Sequence, residues 1–217
     1  MPIFECSRCN EMTYSASVGA ATACARCGSE RHRVIEGDFD EARRSQRTLG
    51  AADHASLIYD DAETVAPFCA RFLTDGVNAG ERVVAGLQDD LRKAVAALLA
   101  PDVEVMVEWE DPRGIYGDFD ADRVTAMYDD LIRGEQRTTR ILAGLDGESV
   151  AGVEPAELAR YEGMAHAIST AREATVLCTY DSRSLPPEFL EVCARSHGLA
   201  VEDGAVRRNE RFEYQPA

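Results

Sequence analysis

Four cysteines near the N-terminus have the spacing of a zinc site. They form two C-x-x-C pairs that fourteen residues separate: Cys6, Cys9, Cys24 and Cys27. Tetrahedral zinc accepts four thiolates, and each C-x-x-C turn presents two of them to one ion. Asn10 and Gly28 directly follow the pairs, and these residue types best tolerate the positive φ that tight turns often require. The spacing therefore predicts one structural Zn²⁺, with no open position for a catalytic water.

The segment that carries these cysteines, residues 1–35, is predicted to be a four-cysteine zinc ribbon. So short a chain cannot bury enough apolar surface to fold alone, so the metal supplies the folding free energy. Two disulfides are an alternative, which an odd total of seven cysteines and the lack of a signal-peptide pattern disfavour. The segment's net charge of +1 is weak support for nucleic-acid binding, so contact with another protein is the favoured role.

The chain as a whole is strongly acidic. Its 217 residues include 39 Asp and Glu against 23 Lys and Arg, a formal net charge of −16. Lys93 is the only lysine; an acidic, lysine-poor surface fits a salt-rich cytoplasm, although GC-rich coding would also deplete lysine. Such a charge repels nucleic acid, which leaves the ribbon as its only possible contact. No apolar stretch is long enough to span a membrane, so a cytoplasmic protein is expected.

Beyond the ribbon, the spacing of apolar residues alternates between strand and helix periods. Residues 36–52 are charged and then small, which is typical of a linker, and residues 53–217 are predicted to form the main domain. The predicted strands cover residues 56–59, 82–87, 103–107, 138–143 and 175–180, and the helices between them include 65–73 and 155–171. This alternation predicts an α/β fold with a mostly parallel sheet and helices on both faces.

Several motifs that carry chemistry in α/β proteins are missing. The sequence has no G-x-x-x-x-G-K-[ST] phosphate loop, because Lys93 stands in a predicted helix without the glycines. Neither G-x-G-x-x-G after a strand nor G-x-S-x-G occurs. No nucleophile and base have a spacing that demands catalysis, so the sequence predicts that the protein is not an enzyme.

From His54 to Tyr214 the order of features resembles the MEDS domain, the methanogen and methylotroph sensory domain named for the dichloromethane-responsive regulator. The matching pieces, in chain order, are Asp53-His54-x-x-Leu57-Ile58-Tyr59, Phe72-Leu73-x-x-Gly76, Gly80-Glu81-Arg82-Val83-Val84, Tyr161-Glu162, Leu177-Cys178-Thr179-Tyr180-Asp181, His197 and Asn209-x-x-x-x-Tyr214. Two departures are that Gly198 stands where a proline usually follows the histidine, and Gly144-Leu145 where an acidic residue is common.

This resemblance implies a RecA or KaiC-type core that has lost its phosphate-binding loop, in agreement with the missing motif. It also implies a sensor of small organic molecules, of a kind found attached to histidine kinases, DNA-binding regions and anti-sigma-type regulators. No kinase or helix-turn-helix is evident in this chain, so a regulatory protein partner must receive the signal. The resemblance identifies neither the ligand nor the oligomeric state.

The predicted ligand-binding residues follow from the resemblance and from the rule that ligands of open α/β sheets bind beyond the carboxyl ends of the strands. They are His54, Tyr59, Trp109, Arg140, Glu162, Tyr180 and His197. Arg140 lies inside a predicted strand, where it needs a partner; Glu162 is the candidate, in a structural pair or an anion site. Cys178 is expected to be a small core residue. The loop over residues 109–119 suits a lid over an apolar ligand as well as a surface loop.

Two functions from different classes follow. The favoured one is an intracellular sensory protein whose α/β domain binds a small molecule and signals to a partner through the zinc ribbon. The alternative is a ligand-free scaffold in a transcription or signalling complex. A shared pocket that joins Trp109 to Tyr180 and His197 favours the sensor.

Overall fold

Two β-sheets and seven helices make up the described part of the protein. In a computed structural model, the described residues are 3–6, 12–14, 23–24, 30, 32–35, 48–133 and 137–213. Of the helices in these segments, none is long and apolar enough to cross a bilayer. Cys9, Cys27 and most of the predicted linker lie outside the described residues, so the four-cysteine site and the domain boundaries stay predictions.

The main sheet has seven strands, six of them parallel. In chain order its strands are β4 (His54–Tyr59), β5 (Arg82–Gly86), β6 (Val107–Glu110), β7 (Thr139–Leu145), β8 (Thr175–Asp181), β9 (Leu199–Glu202) and β10 (Ala205–Arg208). Their order across the sheet is β10-β9-β4-β8-β7-β5-β6, and only β10 runs antiparallel to its neighbour. The parallel pairs are joined by helical crossovers, as parallel neighbours require.

Helices cover both faces of the sheet. They are α1 (Ala62–Asn78), α2 (Asp89–Ala96), α3 (Pro101–Glu104), α4 (Pro112–Tyr116), α5 (Ala121–Ile132), α6 (Pro155–Arg172) and α7 (Pro187–Ser196). Buried residues of α1 to α3 belong to one hydrophobic cluster, and those of α4 to α7 belong to a second. The predicted α/β class, a mostly parallel sheet between two helical layers, is confirmed.

The alternation of side chains along each strand decides which core a residue enters. On β4, Leu57 and Tyr59 join the α1 cluster, so His54 and the residues two apart from it face α6 and α7. On β8, Cys178 and Tyr180 join the α6 and α7 cluster, whereas Leu177 between them joins the other. Histidine, thiol and phenol side chains from two adjacent strands therefore lie on one face of the sheet.

The prediction of a strand over residues 103–107 is wrong. Helix α3 occupies Pro101–Glu104, and the strand begins only at Val107. Pro101 has its fixed φ at the first helical turn, where its missing N–H costs nothing. Val105 is 80% exposed, so the alternating valines do not form a buried strand face.

The N-terminal segment forms a small antiparallel sheet that packs against the C-terminal end of the chain. Its strands β1 (Ile3–Cys6), β2 (Met12–Tyr14) and β3 (His32–Ile35) have the order β2-β1-β3. Cys6 and Cys24 share a buried cluster with Phe212. The buried Glu5 carboxylate forms an ion pair with Arg208 of β10. The segment and the main domain are thus in direct contact.

Candidate functional site

Four of the seven predicted ligand-binding residues lie together in the core between the sheet and helices α6 and α7. They are His54, Glu162, Tyr180 and His197. The side chain of Cys178, which was predicted to be a plain core residue, joins them. Three of the four histidines of the chain lie in or beside this group. We call His54, Glu162, Cys178 and His197 the buried quartet.

Each member of the quartet is positioned by a different element. His54 is the first residue of β4, and Cys178 lies in the middle of the adjacent β8. Glu162 projects from the second turn of α6, and His197 caps the C-terminal end of α7. The quartet therefore forms only when two strands and two helices from distant parts of the sequence have packed. It lies under the helices and not at the carboxyl edge, where the location rule had placed the pocket.

The polar atoms of the quartet are in mutual contact. The His54 Nε2 lies 3.3 Å from the Cys178 Sγ and 3.9 Å from the Glu162 Oε2. The same Glu162 oxygen lies 3.5 Å from the His197 Nε2. One ligand atom from each of the four residues lies within 4.8 Å of every other. Both histidine rings are fully buried, and Glu162 is only 1% exposed.

Two hydrogen bonds fix the orientation of the quartet. The Tyr180 hydroxyl donates to the Glu162 Oε1 at 2.7 Å, which turns the other carboxylate oxygen toward the histidines. The His197 Nδ1 lies 2.9 Å from the carbonyl oxygen of Cys193. Because a carbonyl only accepts, this ring nitrogen carries the proton, and the lone pair of the Nε2 faces the quartet.

Burial shifts the pKa values of these groups toward their neutral forms. It raises the pKa of Glu162 to about 7, against the smaller effect of the Tyr180 hydrogen bond. It lowers the pKa of His197 to about 4 and that of His54 well below its ordinary value. Burial also raises the pKa of the Cys178 thiol. Within the described chain, the Glu162 Oε2 and the His54 Nδ1 have no hydrogen-bond partner.

Sequence reasoning missed His166 beside this site. Its ring stacks on that of His54 at 5.7 Å between centroids and lies 5.8 Å from the ring of Phe212. His166 follows Glu162 by four residues, the spacing that puts two side chains on one helix face. The E-x-x-x-H pattern on a predicted helix was the signal that could have revealed it.

Comparison with known protein families identifies the domain that contains the quartet. The family model described as the MEthanogen/methylotroph, DcmR Sensory domain matches residues 53–198, which include the whole quartet. The chain belongs to the MEDS family. It therefore contains a sensory domain, and its role is sensory or regulatory. The resemblance that the sequence motifs indicated is confirmed for this part of the chain.

Comparison with solved structures adds one protein of similar fold. No curated protein matches the sequence. The flagellar accessory protein FlaH from Methanocaldococcus jannaschii is similar in structure, with a TM-score of 0.49 and 11% sequence identity over 83% of this chain and 89% of that one. At this level of similarity, nothing about FlaH is carried over to the MEDS protein.

The other three predicted site residues lie on the opposite side of the sheet, away from the quartet. Tyr59 and the half-buried Trp109 pack in or against the cluster under α1. Arg140 forms a buried ion pair with Glu81, and its guanidinium lies 4.7 Å from the ring centroid of Phe72. Glu162 is thus not its partner, because Arg140 leaves one face of the sheet and α6, which carries Glu162, covers the other. The single pocket that joined Trp109 to the histidines is not present among the described residues.

The MEDS domain also has a cleft at the carboxyl edge of the sheet. Its volume is about 730 Å³, and Gln88, Asp111 and Asp146 line it just beyond the ends of β5, β6 and β7. Residues 111–113 and Gly117 of the predicted lid form one wall. Both polar atoms of the Gln88 amide are shielded from solvent without a hydrogen-bond partner in the described structure. This cleft is where the location rule for open sheets predicts a ligand.

Proposed function

We propose that this MEDS protein senses a small, polar organic molecule that binds in the cleft. The observation that carries the proposal is the Gln88 amide, whose donor and acceptor groups are buried at the cleft and unpaired. Leaving such groups unsatisfied costs about 1–3 kcal/mol, and a ligand that pairs with them once the side chain turns into the cleft recovers that free energy. Gly144 leaves room for the amide in its unliganded position, because a Cβ there would lie 2.4 Å from the Gln88 Oε1.

The charge of the cleft limits the chemistry of its ligand. Five carboxylates and two guanidinium groups line it: Asp89, Asp90, Asp111, Asp146, Glu148, Arg92 and Arg113. Ion pairs from Arg183 to Asp90 and from Arg113 to Glu148 neutralise part of the acidic charge. The excess of negative charge disfavours phosphorylated ligands. A neutral molecule with both a donor and an acceptor, such as an amide or an alcohol, matches Gln88 best.

The proposed output is a protein partner that contacts the zinc ribbon. The ribbon's described residues pack on Phe212, and Phe212 lies beside His166 of the main domain. A change in the packing of α6 can thus reach the ribbon through one aromatic ring. The alternative function, a ligand-free scaffold, uses the same contact but gives no role to the unpaired amide of Gln88.

Ligand binding should change the fluorescence of Trp109. The Arg92 guanidinium lies 5.0 Å from the Trp109 ring centroid and also lines the cleft. A bound molecule that displaces Arg92 therefore alters the surroundings of the only tryptophan. Titration with a panel of small amides, alcohols and carboxylic acids should give a saturable change for at least one class. Gln88→Leu should remove that response.

The matched control is Arg71→Ala, because Arg71 lines a separate cavity beside Phe72. This variant should titrate like the unmodified protein. If no compound produces a saturable change, or if Gln88→Leu responds equally, the scaffold becomes the better account. A native mass spectrum of freshly purified protein adds an independent search for a retained molecule.

We also predict that the protein does not hydrolyse nucleoside triphosphates. The loop between β4 and α1 carries Asp61 as the N-cap of α1, where its carboxylate accepts hydrogen bonds from the Thr64 hydroxyl at 2.6 Å and the Glu63 amide at 3.3 Å. A helix N-terminus that binds phosphate must offer these donors to the ligand. Phosphate release from ATP or GTP with Mg²⁺ should stay at the level of the protein-free blank. Turnover that follows the protein peak through gel filtration would contradict this.

A further inference from the structure

The buried quartet contains the ligand types that proteins use for zinc and related metals. Two imidazoles, one thiolate and one carboxylate supply nitrogen, sulfur and oxygen donors. We propose that His54, Glu162, Cys178 and His197 bind one divalent transition-metal ion, with Zn²⁺ as the best fit. This inference goes beyond the proposed function and is independent of it, because none of the four residues lines the cleft.

Three of the six distances between ligand atoms of the quartet are close to those of a tetrahedral site. Zinc lies about 2.0–2.3 Å from its ligands, so ligand atoms of a tetrahedron are roughly 3.3–3.8 Å apart. The three measured separations, 3.3 Å, 3.5 Å and 3.9 Å, are close to this range. All four ligand atoms lie within 4.8 Å of one another, so closure around an ion requires only small side-chain movements.

The lone pairs point into the space that the ion would occupy. The proton of His197 is on the Nδ1, held by the Cys193 carbonyl. Its Nε2 lies 3.3 Å from the Tyr180 hydroxyl, whose proton goes to the Glu162 Oε1 in the shorter contact, so the Nε2 keeps its lone pair. The Glu162 Oε2 is buried, has no hydrogen-bond partner in the described structure and faces both histidines. Metal-binding histidines and carboxylates in other proteins are oriented by outer hydrogen bonds of the same kind. Here Tyr180 and the Cys193 carbonyl supply them.

Burial and charge favour an ion over an organic ligand. All four residues are buried, and none of them lines the cleft at the carboxyl edge or the cavity beside α1. A thiolate and a carboxylate together carry two negative charges, which match a divalent cation. Without that cation, burial favours the protonated thiol and carboxyl, so metal binding would release protons and supply the countercharge that the two anions need in a dry site.

The expected role of the metal is structural. Four protein ligands leave no open coordination position for water or substrate. The ion would join β4, β8, α6 and the end of α7, elements that are far apart in the sequence. His166 stacks on one proposed ligand and lies near Phe212. The metal would thus fix the part of the MEDS domain that the ribbon contacts.

Metal analysis of the full chain tests the proposal. The ribbon is predicted to hold its own zinc, so the test uses a Cys6→Ser/Cys24→Ser double variant that lacks the ribbon site. After purification with zinc present, this variant should retain one zinc per chain by mass spectrometry of the elements. Glu162→Gln, added to the double variant, preserves the shape of the side chain but removes a proposed ligand. It should weaken zinc binding by more than 100-fold, because loss of only an outer hydrogen bond already weakens metal binding by about 10- to 100-fold.

Cobalt substitution identifies the sulfur ligand. The Co²⁺-loaded double variant should show a thiolate-to-metal charge-transfer band, and adding Cys178→Ser should abolish it. The matched control is Cys193→Ser, because this thiol is also buried on the same side of the sheet but is not part of the quartet. Tyr180→Phe should weaken Co²⁺ binding by about 10- to 100-fold and leave the band intact, as expected for a positioning residue.

Two outcomes would overturn the proposal. One is a double variant that keeps the circular dichroism of the folded domain but binds neither Zn²⁺ nor Co²⁺. The other is a bound metal whose affinity and spectrum do not change in Glu162→Gln and Cys178→Ser. The quartet would then be a hydrogen-bonded network only. Neither outcome affects the cleft, whose test is the Trp109 response of the unmodified protein.

Discussion

Replacing Cys24 with serine will remove one equivalent of zinc from the chain and unfold its N-terminal ribbon. Structural zinc contributes about 10–16 kcal/mol to the folding of comparable small modules, more than any single side chain contributes by packing. Cys24 and Cys6 lie in the same buried cluster, as expected of two ligands to one ion. The loss of one thiolate leaves three ligands and a segment too short to fold on its own apolar surface.

Metal content and limited proteolysis measure this effect together. The Cys24→Ser variant should contain one zinc fewer per chain than the unmodified protein, and trypsin should cut within residues 1–35 many times faster. Cys69→Ser is the matched control, because Cys69 is a fully buried thiol of α1 in a hydrophobic cluster that contains no ligand of either proposed metal site. Equal zinc content in the two variants, or a metal-free protein whose ribbon resists trypsin, would contradict the four-cysteine site.

The main features of the fold could be predicted because they depend on local patterns. Short apolar runs rich in β-branched and aromatic residues, such as Val176 to Tyr180, favour strands that are buried on both faces, and amphipathic helices between such strands favour a parallel sheet. The C-terminal hairpin of β9 and β10 was not predicted. It depends on the turn at Asp203 and Gly204, where φ is positive at both residues, and on pairing with β4, which lies far away in the sequence.

The candidate site was predicted only in part, because its residues come together through long-range packing. His54, Tyr180 and His197 were predicted to share a pocket with Tyr59 and Trp109, and the structure brings only these three together, with Glu162 added to them. The function of that group stays a proposal. The position of Trp109 depends on strand order, which places β6 at the far edge of the sheet from β4. Strand alternation shows which residues of one strand share a face, but not which face of the folded sheet that is.

The same limit explains why Glu162 was wrongly predicted as the partner of Arg140. Its neighbour Ile141 packs in the cluster under α6, so Arg140 must leave the opposite face, where Phe72 and Glu81 lie. Glu162 belongs to α6 on the first face. To choose between Arg140–Glu81 and Arg140–Glu162, one must know which face of the sheet each helix covers, and that depends on the fold of the whole chain.

Truncating Phe212 to alanine will release the ribbon from the MEDS domain. The ring is 7% exposed, shares a cluster with Cys6 and Cys24, and lies 5.8 Å from the His166 ring. Removing a buried phenylalanine costs about 3–5 kcal/mol, and this ring contacts Cys6 and Cys24 of one module and His166 of the other. The ion pair between Glu5 and Arg208 would remain as the main described contact between them.

Hydrogen exchange measures the local stability of each strand separately. In Phe212→Ala, the amides of β1 (Ile3–Cys6) should exchange faster by about two orders of magnitude, which corresponds to about 3 kcal/mol of lost local stability. Those of β8 (Thr175–Asp181) should stay protected. Phe68→Ala is the control, because this half-buried ring projects from α1 and packs against the other hydrophobic cluster; it should leave β1 unchanged. If β1 exchanges equally in both variants, Phe212 does not couple the modules, and a signal from α6 must leave the domain by another surface.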